Sequence, residues 1–399
     1  MDQSKPEVDV FVGVDVGKSE HHAVALAADG TVLLDRALPQ DEQRLRQLIA
    51  GLREHGRMLL VVDQPATVGA LPVAVARAEG VLVGYLPGLA MRRIADLHAG
   101  EAKTDARDAA IIAQAARSMP HALRSLRVDD ERVAELGMLC GFDDDLAEQI
   151  NQVSNRLRGL LTQLHPALER VMGPRLAHPA VLDLLQRYPS PQAMQAAGRA
   201  RLASRLRKKA PRLGDRLATD IVAALAEQTV VVAGTGAAAQ VLPRLAEQLV
   251  TLRRQRGEIA EQVEQIVDAH PLSGVLTSMP GTGFRTAARI LIEVSGRQFG
   301  SAAHLAAYAG LAPVTRRSGT SIRGEHRSRR GNRRLKKVLY WSAFAALHDP
   351  VSRAYYERKR RERKSHQQAL IALARRRCDV LFAMLRDGTF YDPEQALAA

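Results

Sequence analysis

The run VDVFVGVDVG, from Val8 to Gly17, is β-branched and nearly all apolar, which commits the start of the chain to a buried strand. The next seventy residues keep alternating short strands and short helices. HHAVALAADG (21–30) reads as a second strand, Asp29-Gly30 as a tight turn, and TVLLDRAL (31–38) as a third strand, giving a meander. Helical spacing in EQRLRQLIAGLRE (42–54) precedes a buried strand in RMLLVVDQ (57–64). A helix closed by Gly80 and a strand in VLVGYLP (81–87) complete the series. The order β-β-β-α-β-α-β predicts an α/β domain on a mixed sheet with both faces covered.

From about Asp143 the period changes. Leu146, Ile150, Val153, Leu157, Leu161, Leu164 and Leu168 recur at steps of three and four, as do Leu242, Leu245, Leu249, Leu252, Ile259, Val263 and Ile266. These runs predict a helical middle region, either two coiled-coil arms or a helix pair within one chain. After His270-Pro271 a mainly helical region begins, in which SMPGTGFRTAARILIEV joins a turn to a helix and SAAHLAAYAGLAP adds another. The expected domains are therefore 8–125, 126–270 and 271–399.

A chain of 399 residues, 46% hydrophobic and 25% charged, is too apolar to be disordered and long enough for two or three domains. Its net charge of +14 favours a polyanionic partner, nucleic acid foremost. Two distant cysteines, Cys140 and Cys378, support neither a disulfide framework nor a zinc site. The start of the chain has no apolar core of a signal peptide and no apolar run reaches spanning length, so a soluble cytoplasmic protein without a membrane partner is expected.

Four acids stand out in the α/β region. Asp15 lies within an apolar strand, Asp63 ends another, and Asp105 and Asp108 share one face where an alanine-rich helix begins. Separately they have ordinary explanations: Asp105 and Asp108 complement a helix N-terminus capped by Thr104, and Asp63 before Gln-Pro forms a turn. Asp15 is harder to explain, because a strand centre rarely holds an acid without a purpose. Clustered carboxylates repel one another unless a cation neutralises them, and oxygen-only ligands favour Mg²⁺ or Mn²⁺ over Zn²⁺. Two such ions stabilise the attacking and leaving oxygens of a phosphodiester displacement.

The basic segment raises a second question. Arg316 to Lys337 carries ten Lys or Arg against one acid, Glu325, and Arg353 to Lys364 adds seven more. Arg316, Arg317, Arg323, Arg329, Arg330, Arg333, Arg334, Lys336 and Lys337 are candidate phosphate contacts. Gly281 and Gly283 of PGTG suit either a tight turn or a hairpin whose backbone N–H groups approach a phosphate. Ser318, ahead of Gly319 and behind two arginines, is either a turn residue touching phosphate or a nucleophile whose transition state the arginines stabilise. Tyr340, Trp341 and Phe344 are expected to pack in the last helical core, leaving few platforms for unpaired bases.

GVDVGK on the first strand, an acid after the fourth, KTDARDA entering a helix, and then PGTG, YAGLAP and SG in order resemble the IS110 family of insertion-sequence transposases. The resemblance spans nearly the whole chain. It implies a DEDD domain of RuvC-like, RNase H-like fold with Asp15, Asp63, Asp105 and Asp108 as metal ligands. The second of these is typically Glu in the family. It also implies that the carboxyl-terminal serine, Ser318 ahead of Ser321, attacks DNA to form a phosphoserine, and that a structured guide RNA (a bridge RNA) pairs with donor and target DNA. Catalytic parts so far apart in sequence suggest a homodimer or homotetramer. The rival expectations are a RuvC-like Holliday-junction nuclease that uses water and a nucleic-acid-binding protein without catalysis.

Overall fold

The structure is a computed structural model that describes residues 8–65, 67–97, 104–125, 131–295, 297, 299–318, 322–326, 328 and 330–394. The chain forms two compact units, 1–130 with 294–298 and 131–293 with 299–399.

In the first unit, β1 (Val10–Asp15), β2 (Glu20–Ala27) and β3 (Val32–Pro39) make the expected antiparallel meander. α1 (Glu42–Arg53), capped by the Asp41 carboxylate on Arg44 N–H at 2.9 Å, returns the chain to β4 (Met58–Val62), which lies parallel to β1. α2 (Ala70–Ala78) leads to β5 (Leu82–Tyr85), parallel to β4. α3 (Gly88–Ala95), α4 (Asp105–Ser118) and a two-residue edge strand, β6 (Arg124–Ser125), complete a mixed sheet of order β3-β2-β1-β4-β5-β6. The period of two sorts the side chains between the faces. Val10, Val12, Val14, Leu60 and Val62 pack with Leu45, Leu48 and Ile49 of α1 and Val73 and Ala76 of α2. Phe11, Leu59 and Val61 face Ile111, Ile112, Ala115 and Ala116 of α4. Each fully buried aliphatic side chain contributes roughly 1.5–3 kcal/mol, and this two-sided burial holds the sheet.

The second unit is largely helical. α5 (Glu131–Leu164) is followed by α6 (Pro166–Met172), α7 (Pro179–Arg187), α8 (Pro191–Arg207), α9 (Gly214–Ala226) and α10 (Thr235–Asp268). The two leucine-rich runs lie on α5 and α10 and close on each other within the chain. The pair is antiparallel, since Arg132 donates to the Ala269 carbonyl at 2.9 Å and Arg256 pairs with Asp143 at 2.9 Å. Leu146, Val153, Leu157 and Leu161 share one core with Leu242, Leu249 and Leu252, joined by Leu168, Met172, Leu182 and Leu217 of the intervening helices.

Beyond it come α11 (Ser273–Ser278), α12 (Phe284–Val294), α13 (Ala302–Tyr308), an antiparallel hairpin of β7 (Val314–Ser318) and β8 (Ile322–His326), then α14 (Arg333–Ala345), α15 (Pro350–Arg361) and α16 (His366–Asp387). The sequence predicted no hairpin in the basic tract. Its aromatic prediction also needs correction: α14 buries Leu335, Leu339, Ser342 and Ala343, whose helical phase turns Trp341 and Phe344 outward, 54% and 47% exposed. Both cysteines are free and buried, and burial pushes the Cys378 thiol up to about 12. Among the described residues no helix is long and apolar enough to cross a membrane.

Candidate active site

The acids of the first unit gather at one end of its sheet, on the face that α4 covers. β1 and β4 run parallel with Val14 opposite Val62, so Asp15 and Asp63 follow side by side at the carboxyl ends of strands about 4.8 Å apart. They continue the alternation of Phe11 and Gly13, and of Leu59 and Val61, which places both on the α4 side. Gly13 is the point of closest approach. A Cβ there would stand 2.3 Å from both the Ala109 carbonyl oxygen and the Ala113 nitrogen, so only glycine lets helix and strand backbones touch.

The direction of α4 follows from its other end. Arg117, near its last turn, donates to the Ala28 carbonyl at 3.2 Å, and neighbouring Ala27 pairs with Val10 at the start of β1. Late α4 thus lies over early β1, and the first turn of α4 points toward Asp15. That turn holds Asp105 and Asp108. The Thr104 hydroxyl caps the helix by accepting from Arg107 N–H at 3.3 Å, so hydroxyl rather than carboxylate fills the capping role. Among the described residues, no group of three or more His, Cys, Asp or Glu is arranged to hold a metal ion. The four acids share an end of the sheet without closing on a common point.

Asp63 is the most unusual of them. Its Oδ1 is buried and has no hydrogen-bond partner, while Oδ2 accepts from Gln64 Nε2 at 3.4 Å. Burial pushes its carboxyl above the ordinary carboxylate range. An orphaned, partly desolvated carboxylate beside a second acid suits a hard cation, and the donor set has only oxygen to offer. The folded state therefore favours neutral Asp63, and the carboxylate weakens the fold as pH rises through its raised pKa. Asp63→Asn is expected to raise the metal-free melting midpoint by about 2 °C at neutral pH, a gain that closes as pH falls below the ordinary carboxylate range. Mg²⁺ is expected to raise the wild-type midpoint and not that of the variant. Thermal scans with and without Mg²⁺ test this, and a variant melting below wild type at neutral pH would sink it.

Sequence reasoning missed His21, whose only trace is a His-His pair on a strand. It is 2% exposed; Gly17 N–H donates to its Nδ1 at 3.2 Å, which leaves Nε2–H to donate to Gln40 Oε1. Gln40 Nε2 donates in turn to the Val68 carbonyl at 2.8 Å. This chain of bonds ties the turn after Asp15 to the segment after Asp63. Close packing reinforces it, because a Cβ on Gly69 would stand 1.9 Å from the Gln64 carbonyl oxygen.

In the second unit, Ser318 is the last residue of β7, opposite Ile322, and Arg316 and Arg317 stand opposite Gly324 and Arg323. Ser321 and Arg329 lie outside the described residues. Two glycines close the base of the hairpin: Gly310 (φ +66°) and Gly331 (φ +101°) approach so closely that a Cβ on Gly331 would stand 2.5 Å from Gly310 N. Arg330, Arg333, Arg334 and Lys337 are exposed. Lys336 differs, since its ammonium donates to the Gly310 carbonyl at 2.7 Å. In the PGTG turn, Gly281 (φ +73°) is glycine because of packing within the unit, where a Cβ would stand 2.5 Å from the Ser342 carbonyl oxygen. Gly283 differs, since a Cβ there would meet nothing within 4 Å. Arg377 of α16, buried and lowered by burial to about 10, stays charged at neutral pH and locks this turn by donating to the Pro280 carbonyl and, at 2.7 Å, to Ser342 Oγ.

Comparison with known proteins adds independent observations. A family model described as a transposase matches residues 12–166, and another, described as transposase IS116/IS110/IS902 family, matches residues 273–357. The chain is 58% identical over 389 residues to an uncharacterized 43.6 kDa protein of insertion element IS110 from Streptomyces coelicolor, covering 97% of this chain and 96% of that protein. It is 39% identical to an uncharacterized 42 kDa protein of insertion element IS900 from Mycobacterium paratuberculosis, over 98% and 99% of the two chains. Similarity extends to the mini-circle putative transposase for IS117 of Streptomyces coelicolor, at 30% identity over 98% and 97%.

Proposed function

The chain belongs to the IS110 family of insertion-element transposases, and on that premise we propose that it cuts and rejoins DNA by serine recombination supported by a divalent cation. The observation that carries the metal half is the buried, unpartnered Asp63 Oδ1 beside Asp15 at the strand ends, with Asp105 and Asp108 at the same end of the sheet. A mixed sheet of this order, with helices on both faces, is consistent with an RNase H-like domain. In this reading Asp15, Asp63, Asp105 and Asp108 hold Mg²⁺, or Mn²⁺ in its place. A bound divalent cation supplies charge neutralisation at the scissile phosphate.

Ser318 Oγ is the nucleophile. Its bond to phosphorus forms as the phosphodiester bond to the leaving strand breaks, and its proton passes to the leaving oxygen. The products are a phosphoserine and a free hydroxyl end, and attack by another strand's hydroxyl reverses the step on a new partner. Arg316, Arg317 and Arg323 neutralise the phosphate, while Arg330, Arg333, Arg334 and Lys337 hold flanking DNA. We assign target choice to a non-coding RNA that pairs with DNA, and the working form to a homodimer or homotetramer.

The test incubates purified protein with Mg²⁺, RNA from the element's flanking non-coding region and DNA carrying the element's junction. A denaturant-resistant protein–DNA adduct, abolished by chelation, is the expected result. Mg²⁺-dependent cleavage without an adduct would replace this mechanism with RuvC-like hydrolysis.

A further inference from the structure

On the second unit, five aromatic rings run edge to face across three helices. Tyr340 and Trp341 have centroids 5.7 Å apart at 82°, Trp341 and Phe344 5.9 Å at 88°, and Phe344 and His366 6.4 Å at 86°. His366 and Tyr356 close the series at 5.8 Å and 78°, joined by a hydrogen bond between the Tyr356 hydroxyl and His366 Nδ1 at 2.7 Å. Such perpendicular stacking fixes the rings against one another. Trp341 and Phe344 are about half exposed, although side chains of this size are usually well covered.

What lies beside them decides the kind of partner. Residues 333, 337, 341 and 344 are spaced at four, four and three, so Arg333, Lys337, Trp341 and Phe344 form one exposed stripe along α14. Two cations lead directly into two exposed aromatic rings. A purely apolar partner would leave those cations desolvated, and a duplex would bury its bases away from the rings. An unpaired strand satisfies both halves, with phosphates on Arg333 and Lys337 and bases on Trp341 and Phe344.

We propose that this stripe is a stacking surface for the unpaired bases of single-stranded DNA. The proposal commits to DNA because the chain is a transposase and strand exchange must pass through unpaired DNA. It rests on that reading for its partner alone and requires neither cleavage nor a metal.

Trp341 is the sole tryptophan of the chain, so fluorescence excited selectively at tryptophan reports this surface and no other. The full chain, with EDTA present, would be titrated with an oligo(dT) 20-mer while anisotropy of a labelled copy records binding. Quenching that follows binding is the expected result. Phe344→Ala, which keeps the fluorophore, is expected to raise the half-saturating concentration roughly tenfold. Trp341→Ala, read by anisotropy, is expected to raise it by a similar factor.

Binding without quenching would overturn the proposal, as would equal quenching by a duplex. Quenching by oligo(rU) but not by oligo(dT) would reassign the surface to RNA and refute the DNA assignment. A blue shift on concentrating the protein alone, with no quenching by DNA, would make the stripe a contact with a second copy. Because chelation silences cleavage throughout, loss of the serine mechanism would leave these outcomes unchanged.

Discussion

Asp15→Asn is expected to lower Mg²⁺-dependent DNA cleavage by about 10³–10⁵-fold while leaving the fold and DNA affinity close to wild type. Asparagine has the shape of aspartate, and the strand pairing of Asp15 with His22 uses only the backbone, so β1 keeps its register on β2 and β4. What disappears is one negative charge at the end of the sheet where Asp63, Asp105 and Asp108 also lie. If those acids jointly hold the cation, removing one charge weakens the ion and misplaces what remains. Single-turnover cleavage with protein in excess, beside a thermal melt and a DNA-binding titration, separates lost chemistry from lost structure. Cleavage within tenfold of wild type would refute the metal role of Asp15.

Ser318→Ala is expected to eliminate the covalent adduct entirely, since no other atom of that residue can form the phosphoester. Binding of junction DNA should change little, because the cations of the segment remain. Ser321→Ala is the matched control and is expected to retain the adduct. Adduct formation that survives at Ser318→Ala and vanishes at Ser321→Ala would transfer the nucleophile by three residues. Survival in both variants would remove serine chemistry altogether.

The first unit was the more legible half. Period-two runs, Asp29-Gly30 and Gly80 mark strand and helix ends through short-range rules, and Thr104 announces the start of α4. The four acids were legible as types and spacings. That they share one face and one end depends on Gly13, a residue indistinguishable in sequence from any other strand glycine until α4 is laid against it. The leucine runs gave two helices but left open whether they pair within a chain, because the same repeat serves both arrangements. Their antiparallel pairing depends on contacts such as Arg256 with Asp143, 113 residues apart.

The basic tract misled in a different way. Its cations masked the hairpin, because charge speaks about partners and says little about backbone. Lys336 and Gly281 were grouped by composition with residues that face solvent, yet each has a partner inside the unit. The aromatic residues show the converse. Reading the phase of Leu335, Leu339, Ser342 and Ala343 along α14 would have turned Trp341 and Phe344 outward, whereas reading residue type alone turned them inward.

The backbone contact at Gly13 also sets a schedule. Residue 108 leaves the ribosome 93 residues after residue 15, which at about 5–20 residues per second is a delay of roughly 5–20 s. During that interval the nascent sheet carries Asp15 and then Asp63 with nothing over its α4 side, and Phe11, Leu59 and Val61 are bare. A chain interrupted before α4 would thus present a sticky, incomplete sheet to chaperones and proteases.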